Sequence, residues 1–134
     1  MKMANIKYKG GLRTEAVHLR SGNIVVTDAP TDNNGKGEAF SPTDLLCTSL
    51  GACMLTIMGI VAANNNLIID GTEVEITKIM KTDPRRVGEI IIAFRMPENN
   101  FSKKEKQLLE NAARTCPVAK SLNTDLKQTI IFNY

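Results

Sequence analysis

The sequence predicts an α+β fold in the order βββ-α-ββ-αα-β, and three observations carry it. One charge-free apolar stretch, Leu45–Ala63, sits near the middle of the 134 residues. Short alternating segments with turn residues between them flank it on both sides. A strong helix start, Ser102 with Glu105 three residues on, precedes the last alternating segment.

The first elements form a meander. Residues 3–9 (MANIKYK) alternate loosely and read as a strand, and Gly10-Gly11 supplies a turn. Residues 12–20 (LRTEAVHLR) read as a second strand. Ser21-Gly22 turns it into a third, Asn23–Thr27. Residues 28–40 (DAPTDNNGKGEAF) hold Pro, Asn and Gly without periodicity and are expected as a loop, a candidate lid over whatever Cys53 faces.

The central helix opens at Ser41. Its hydroxyl can cap the N-terminus, Pro42 suits the first helical position, and Asp44 stands where a capping-box partner would. With no charge from Leu45 to Ala63, this helix is expected to be buried on nearly every side. At 100° per residue, Ser49, Ala52, Cys53, Thr56, Gly59 and Ala63 share one stripe of small residues. Such a stripe admits another backbone or leaves room for a ligand. Cys53 therefore faces a tight contact or a pocket, and a plain packing cysteine is the simpler reading.

Past Asn64-Asn65-Asn66, residues 72–81 (TEVEITKIMK) alternate, with Val74, Ile76, Ile79 and Met80 inward and a slip near Ile79. Asp83-Pro84 turns the chain, residues 87–96 form the next strand, and Pro97 ends it. The helix capped by Ser102 is expected to bury Leu108, Leu109 and Ala112 and to wet Lys103, Lys104, Lys106 and Glu110. Pro117 starts a short third helix to Leu122, and residues 126–133 close the chain as a strand. No repeat or second domain is visible, so residues 1–134 read as one domain.

Composition excludes several function classes. A net charge of +3, with lysines and arginines dispersed, argues against nucleic acid. The N-terminus MKMANIKYKGG lacks an apolar signal region, so a cytoplasmic protein is expected. Leu45–Ala63 is nearly long enough to span a bilayer, but Thr48, Ser49, Gly51, Thr56 and Gly59 interrupt it, and the amphipathic strands need a helix to cover. No membrane span is therefore expected. A single histidine, His18, in an alternating strand and the lack of a CxxC leave no metal-ligand spacing. No cofactor motif is present: the G-x-G at 35–37 follows no strand and lacks the third glycine.

Three cysteines remain. Cys47 and Cys53 lie six apart on one helix, about 9 Å along its axis on divergent faces, and a disulfide needs Cα atoms within about 7 Å. Cys116 is then the intrachain partner left for Cys53, if either is redox active. At a helix start, with Arg114 and Lys120 near in sequence, Cys116 has a setting that lowers a thiol pKa; a half-buried structural residue is the competing reading. Cys47 reads as packing.

FSPTDLL (40–46), SLGACM (49–54) and CPVAKSL (116–122), together with the element order, resemble the OsmC/Ohr family over nearly the whole chain. The resemblance implies an intertwined homodimer with its two central helices packed together, which would account for the small-residue stripe. It implies a thiol peroxidase for organic hydroperoxides: Cys53 as the peroxidatic thiolate passing through a sulfenic acid, Cys116 as the resolving thiol, and a dithiol reductant, dihydrolipoyl in the better-known members. It further implies an arginine paired with a carboxylate beside the first cysteine. Ten positions before Cys53 this chain has Thr43, where the peroxidases have glutamate, and Asp44 is the adjacent carboxylate. Asp44 lies about 13 Å along the helix from its own Cys53, on the opposite face, so it would serve the partner subunit's thiolate or act through an arginine. Arg13, in the first hairpin, is the chosen arginine, with Arg20 and Arg86 as alternatives. Two other functions stay open. One is a non-enzymatic dimer holding a small apolar ligand; the other is persulfide or sulfur handling on Cys116-Pro117.

Overall fold

The computed structural model describes all 134 residues, which cluster into two compact units, 1–46 and 47–134. The first unit holds an antiparallel sheet in the order β1-β2-β3: β1 Ala4–Gly10, β2 Arg13–His18 and β3 Ile24–Asp28. The β1–β2 turn uses positive φ at Gly10 (84°) and Gly11 (60°), which glycine adopts without a Cβ penalty. Every residue of β1 is exposed, including Ile6 and Tyr8. The expected loop after β3 is folded on itself. Thr31–Asn33 forms one 3-10 turn, and Gly35 and Gly37 donate to Pro30 and Ala29 carbonyls at 2.9 and 3.2 Å. Gly35 lies so close to Ala29 that a Cβ there would stand 1.7 Å from its carbonyl oxygen.

Helix α1, Pro42–Asn64, leaves the first unit and runs on as the core helix of the second. Cys47, Leu50, Gly51, Met54, Met58 and Ala62 are its buried residues. Its burial is one-sided within this chain. Ser49, Ala52, Thr56, Ile60 and Ala63 are exposed, and a Cβ at Gly59 would meet nothing. By length and composition the helix could cross a membrane, with a hydropathy of 2.1. Its apolar residues in this structure pack instead on a sheet, Gly51 lying close enough to Ile76 for a Cβ to stand 2.7 Å from Cδ1.

That sheet is ordered β4-β5-β6, with β4 Glu73–Lys81 antiparallel and β6 Lys127–Asn133 parallel to the central β5, Arg86–Arg95. A parallel neighbour requires a long crossover, and two helices, α2 Lys103–Arg114 and α3 Pro117–Ser121, provide it. Val87, Ile90, Ile92 and Phe94 of β5 are buried, as a central strand covered by helices requires, and Phe94 stacks on Phe132 of β6 at 4.8 Å.

Two readings of inward faces change. Alternation in β4 continues unbroken, so Ile79 is exposed and Lys78 shares the half-buried face of Val74, Ile76 and Met80. The slip is a bulge in the partner strand: Ile79 pairs with Glu89 and Met80 with Val87, leaving Gly88 over. In α2 the buried residues are Leu109, Ala112 and Ala113, and Leu108 is exposed. On the wet side, Lys106 and Glu110 are half-covered by the C-terminal Tyr134, whose ring lies 4.5 Å from the Lys106 ammonium and whose hydroxyl donates to Glu110 at 2.8 Å. The expected capping box is formed, Glu105 N–H donating to Ser102 Oγ and Ser102 N–H to the Glu105 carboxylate.

Candidate functional site

In the second unit the chain brings Cys53 and Cys116 together. Cys53 stands mid-helix on α1, half-buried, at the margin between the core face and the exposed small-residue face. Cys116 is the N-cap of α3, fully buried, and its sulfur accepts the Ala119 N–H at 3.3 Å. Both cysteines are free, and Cys53 lies close enough to Cys116 to act on its thiol directly. Backbone rules explain the placement. Pro117 takes the first helical position and Cys116 the extended cap before it, so the sulfur turns back over the first turn of α3.

The electrostatics of Cys116 differ from the sequence expectation. Burial pushes its thiol above the ordinary cysteine value, and the neighbouring Cys53 sulfur pushes the same way. The N–H groups of Ala119 and Val118 oppose this but do not outweigh it. A short helix start therefore does not make Cys116 a standing thiolate, because desolvation of the charged form costs more than two backbone donors return. The third cysteine, Cys47, is buried in the core.

In the first unit, Arg13 and Asp28 are directly opposed residues of β2 and β3. Arg13 Nε donates to Asp28 Oδ1 and Nη2 to Oδ2, both at 2.7 Å, a two-pronged pairing. The Asp28 side chain is 0% exposed and that of Arg13 is 36% exposed. Glu38 N–H donates to Asp28 Oδ2 at 3.2 Å, and the Glu38 carboxylate lies 3.9 Å from Arg13 Nη2. The guanidinium holds the Asp28 carboxyl below its ordinary value, with burial opposing. Reading the sequence by itself missed Asp28. The tight turn after His18 was the available signal, since it sets the register that places 13 opposite 28.

Asp44 sits in the helix cap. Its N–H donates to Ser41 Oγ at 3.0 Å, and its carboxylate accepts the Ser41 N–H at 2.9 Å, a capping box with aspartate in the usual glutamate place. Arg86 is occupied in the β4–β5 turn, donating to the carbonyls of Thr82 and Pro84. Arg20 is exposed in the turn after β2. His18 bonds Ser21 at 2.6 Å within the same turn. No group of three or more His, Cys, Asp or Glu side chains is arranged to hold a metal.

An antiparallel meander, a long apolar helix that carries Cys53 and a parallel crossover that delivers Cys116 against it define a class: α+β proteins of OsmC type. The family model for OsmC-like protein matches residues 35–130, and the chain belongs to the OsmC/Ohr family. Its fold coincides with that of an osmotic stress induced and detoxification response protein from Psychrobacter arcticus 273-4, at 51% identity and TM-score 0.95, covering 99% of this chain and 96% of that one. More distant structures share the fold. One is an organic hydroperoxide resistance protein from Legionella pneumophila (14% identity, TM-score 0.77, 100% and 98% covered). Another is OhrB of Bacillus subtilis (18% identity, TM-score 0.68, 98% of each chain covered). No curated protein sequence matches the chain. Family membership and the close cysteine pair together support a thiol redox function in general terms.

Proposed function

We propose that this protein reduces organic hydroperoxides with its two thiols, and the closeness of Cys53 to the buried Cys116 is the observation that carries the reading. The Cys53 sulfur, as thiolate, takes the distal peroxide oxygen. An S–O bond forms, the O–O bond breaks, and the thiol's proton ends on the departing alcohol. The Cys116 sulfur then attacks the Cys53 sulfenic acid. The S–S bond forms, and the Cys116 proton leaves with the sulfenic oxygen as water. Burial keeps Cys116 protonated at rest, so its proton passes to the sulfenic oxygen as its sulfur attacks. An external dithiol, dihydrolipoyl by family resemblance, reopens the disulfide by exchange.

Arg13 is the proposed guanidinium for the peroxidatic thiolate and the peroxide oxygens. Asp44 is proposed as the helix-start carboxylate serving that centre through an arginine or in the partner subunit. The exposed face of Ser49, Ala52, Thr56 and Ala63 is proposed to pack against the same face of a second copy, forming the homodimer. The bare strand β1, with Ile6 and Tyr8 uncovered, supports an assembly larger than one chain.

The test is intact mass after brief exposure to a small excess of cumene hydroperoxide. Loss of two hydrogens, mapped to a Cys53–Cys116 peptide, is expected, as is loss of turnover in Cys53→Ser. Unchanged mass with all thiols alkylatable after denaturation, or normal turnover in Cys53→Ser, would sink the reading.

A further inference from the structure

We infer that Gln128 is a positioning residue for the second chemical step: its side-chain amide pins α3 to β6 and so holds the Cys116 sulfur where it can attack Cys53. The inference rests on the peroxidase reading above and deepens it by naming what governs the fate of the Cys53 sulfenic acid.

The need arises from α3 itself. Its five residues, Pro117–Ser121, close little more than one turn, and a helix so short has no stability of its own. None of the five is buried; Val118 and Ala119 are half-buried at the edge of the core. Yet Cys116 at its N-cap is fully buried, and the Cys116 sulfur is oriented by the Ala119 N–H at 3.3 Å. Within the element, Lys120 N–H donates to the Cys116 carbonyl at 3.2 Å and Ser121 Oγ to that of Pro117 at 2.8 Å. The Ala119 carbonyl lies in the last turn, where no helical amide follows to meet it.

Gln128 meets it. Nε2 donates to the Ala119 carbonyl at 3.1 Å, across the turn that joins α3 to β6. The other hydrogen bonds of α3 stay within the element and its cap. Strand alternation explains why a glutamine can reach. Gln128 shares its face of β6 with Ile130 and Phe132, both packed against the core. A half-buried amide on that face needs a partner, and the orphaned carbonyl of α3 supplies one. Ala119 thus links the two: its N–H holds the sulfur, and its carbonyl is held by β6.

The placement of Cys116 settles a competition. Attack by Cys116 on the Cys53 sulfenic acid forms the S–S bond and releases water. Attack of the sulfenic sulfur on a second hydroperoxide instead forms a second S–O bond and breaks the O–O bond, giving a sulfinic acid and an alcohol. The first route is intramolecular and depends on where α3 holds the sulfur; the second does not. Freeing α3 therefore slows the first route alone.

The experiment is intact mass of wild type, Gln128→Glu and Gln128→Met after titration with cumene hydroperoxide in the absence of reductant. Glutamate keeps the length and loses the donor; methionine keeps the length and loses the polar group. The disulfide form is lighter by two hydrogens, and the sulfinic form is heavier by two oxygens. The ratio of disulfide to sulfinic acid is expected to fall about tenfold in both variants. The rate at which Cys53 first loses its thiol, read by quenched alkylation, should stay within roughly twofold of wild type. Gln128→Lys restores a donor of sufficient reach and should return the ratio toward the wild-type value; a ratio as low as that of Gln128→Met would overturn the hydrogen bond as the cause. A wild-type ratio in both variants overturns the assignment and leaves the peroxidase reading standing. An equal loss of the first step also overturns it, since Gln128 would then support the fold as a whole. Should Gln128→Glu fail to fold, Gln128→Met and Gln128→Lys decide by the same ratios. Wild-type protein that forms neither product removes the reading and the inference together.

Discussion

At the scale of single residues, the two thiols of the pair are made unequal by their surroundings. Cys53 is half-buried on a helix face that ends in solvent, and Cys116 is fully buried with its pKa raised by burial. Native protein treated with iodoacetamide at neutral pH should therefore be modified at Cys53 first, and Cys116 should react at least about tenfold more slowly until the protein is denatured. Peptide mapping after timed quenching reads this, and equal rates would contradict the burial of Cys116. Asp28 carries a second residue-scale prediction. Its folded pKa lies below the unfolded value of about 3.9, so the folded state binds the proton less tightly. Its contribution to stability is then complete above that value and is lost as pH falls through the lower folded one. Melting temperature followed from pH 6 to pH 2 should show a descending limb that is shallower in Asp28→Asn.

At the scale of elements, caps and close approaches decide what tolerates change. Ser102 and Glu105 satisfy each other's backbone donors at the start of α2, so Ser102→Ala should cost about 1 kcal/mol by urea denaturation, with m unchanged. The loop after β3 is less forgiving. At Gly35 an added Cβ would overlap the Ala29 carbonyl, backbone that cannot rotate away, so Gly35→Ala should cost roughly 2–3 kcal/mol or shift the loop. Gly51 makes a contrast: its nearest neighbour is the far end of the Ile76 side chain, which can turn aside. The same scale explains the misread inward faces. One leftover residue in β5, Gly88, keeps the β4 alternation in phase and puts Ile79 outside.

At the scale of the molecule, the long helix has one buried face and one exposed face. Its buried face is core: Leu50, Met54 and Met58 are fully buried, and Leu50→Ala should cost about 2–5 kcal/mol. Its other face is small and charge-free, a surface that a solvated helix rarely carries. If it packs on a second copy, Ala52→Arg should halve the mass measured by light scattering while leaving the far-UV circular dichroism per residue intact. An unchanged mass would place the dimer contact elsewhere.

Much of this was legible in the order of residues. Hydrophobic periods of 2 and 3.6, glycine pairs at turns and the Ser-Pro and Ser-x-x-Glu helix starts are local signals, and local signals are physics between neighbours in the chain. They set the element order, the extent of α1 and the incompatibility of Cys47 with Cys53. Tertiary structure decided the rest. Whether β6 runs parallel to β5, which carboxylate meets Arg13, and whether Cys116 is thiol or thiolate depend on groups far apart in sequence. The last case shows the reason most clearly: a helix start can be read from Pro117, but the desolvation that overrides it comes from packing, which no local pattern encodes.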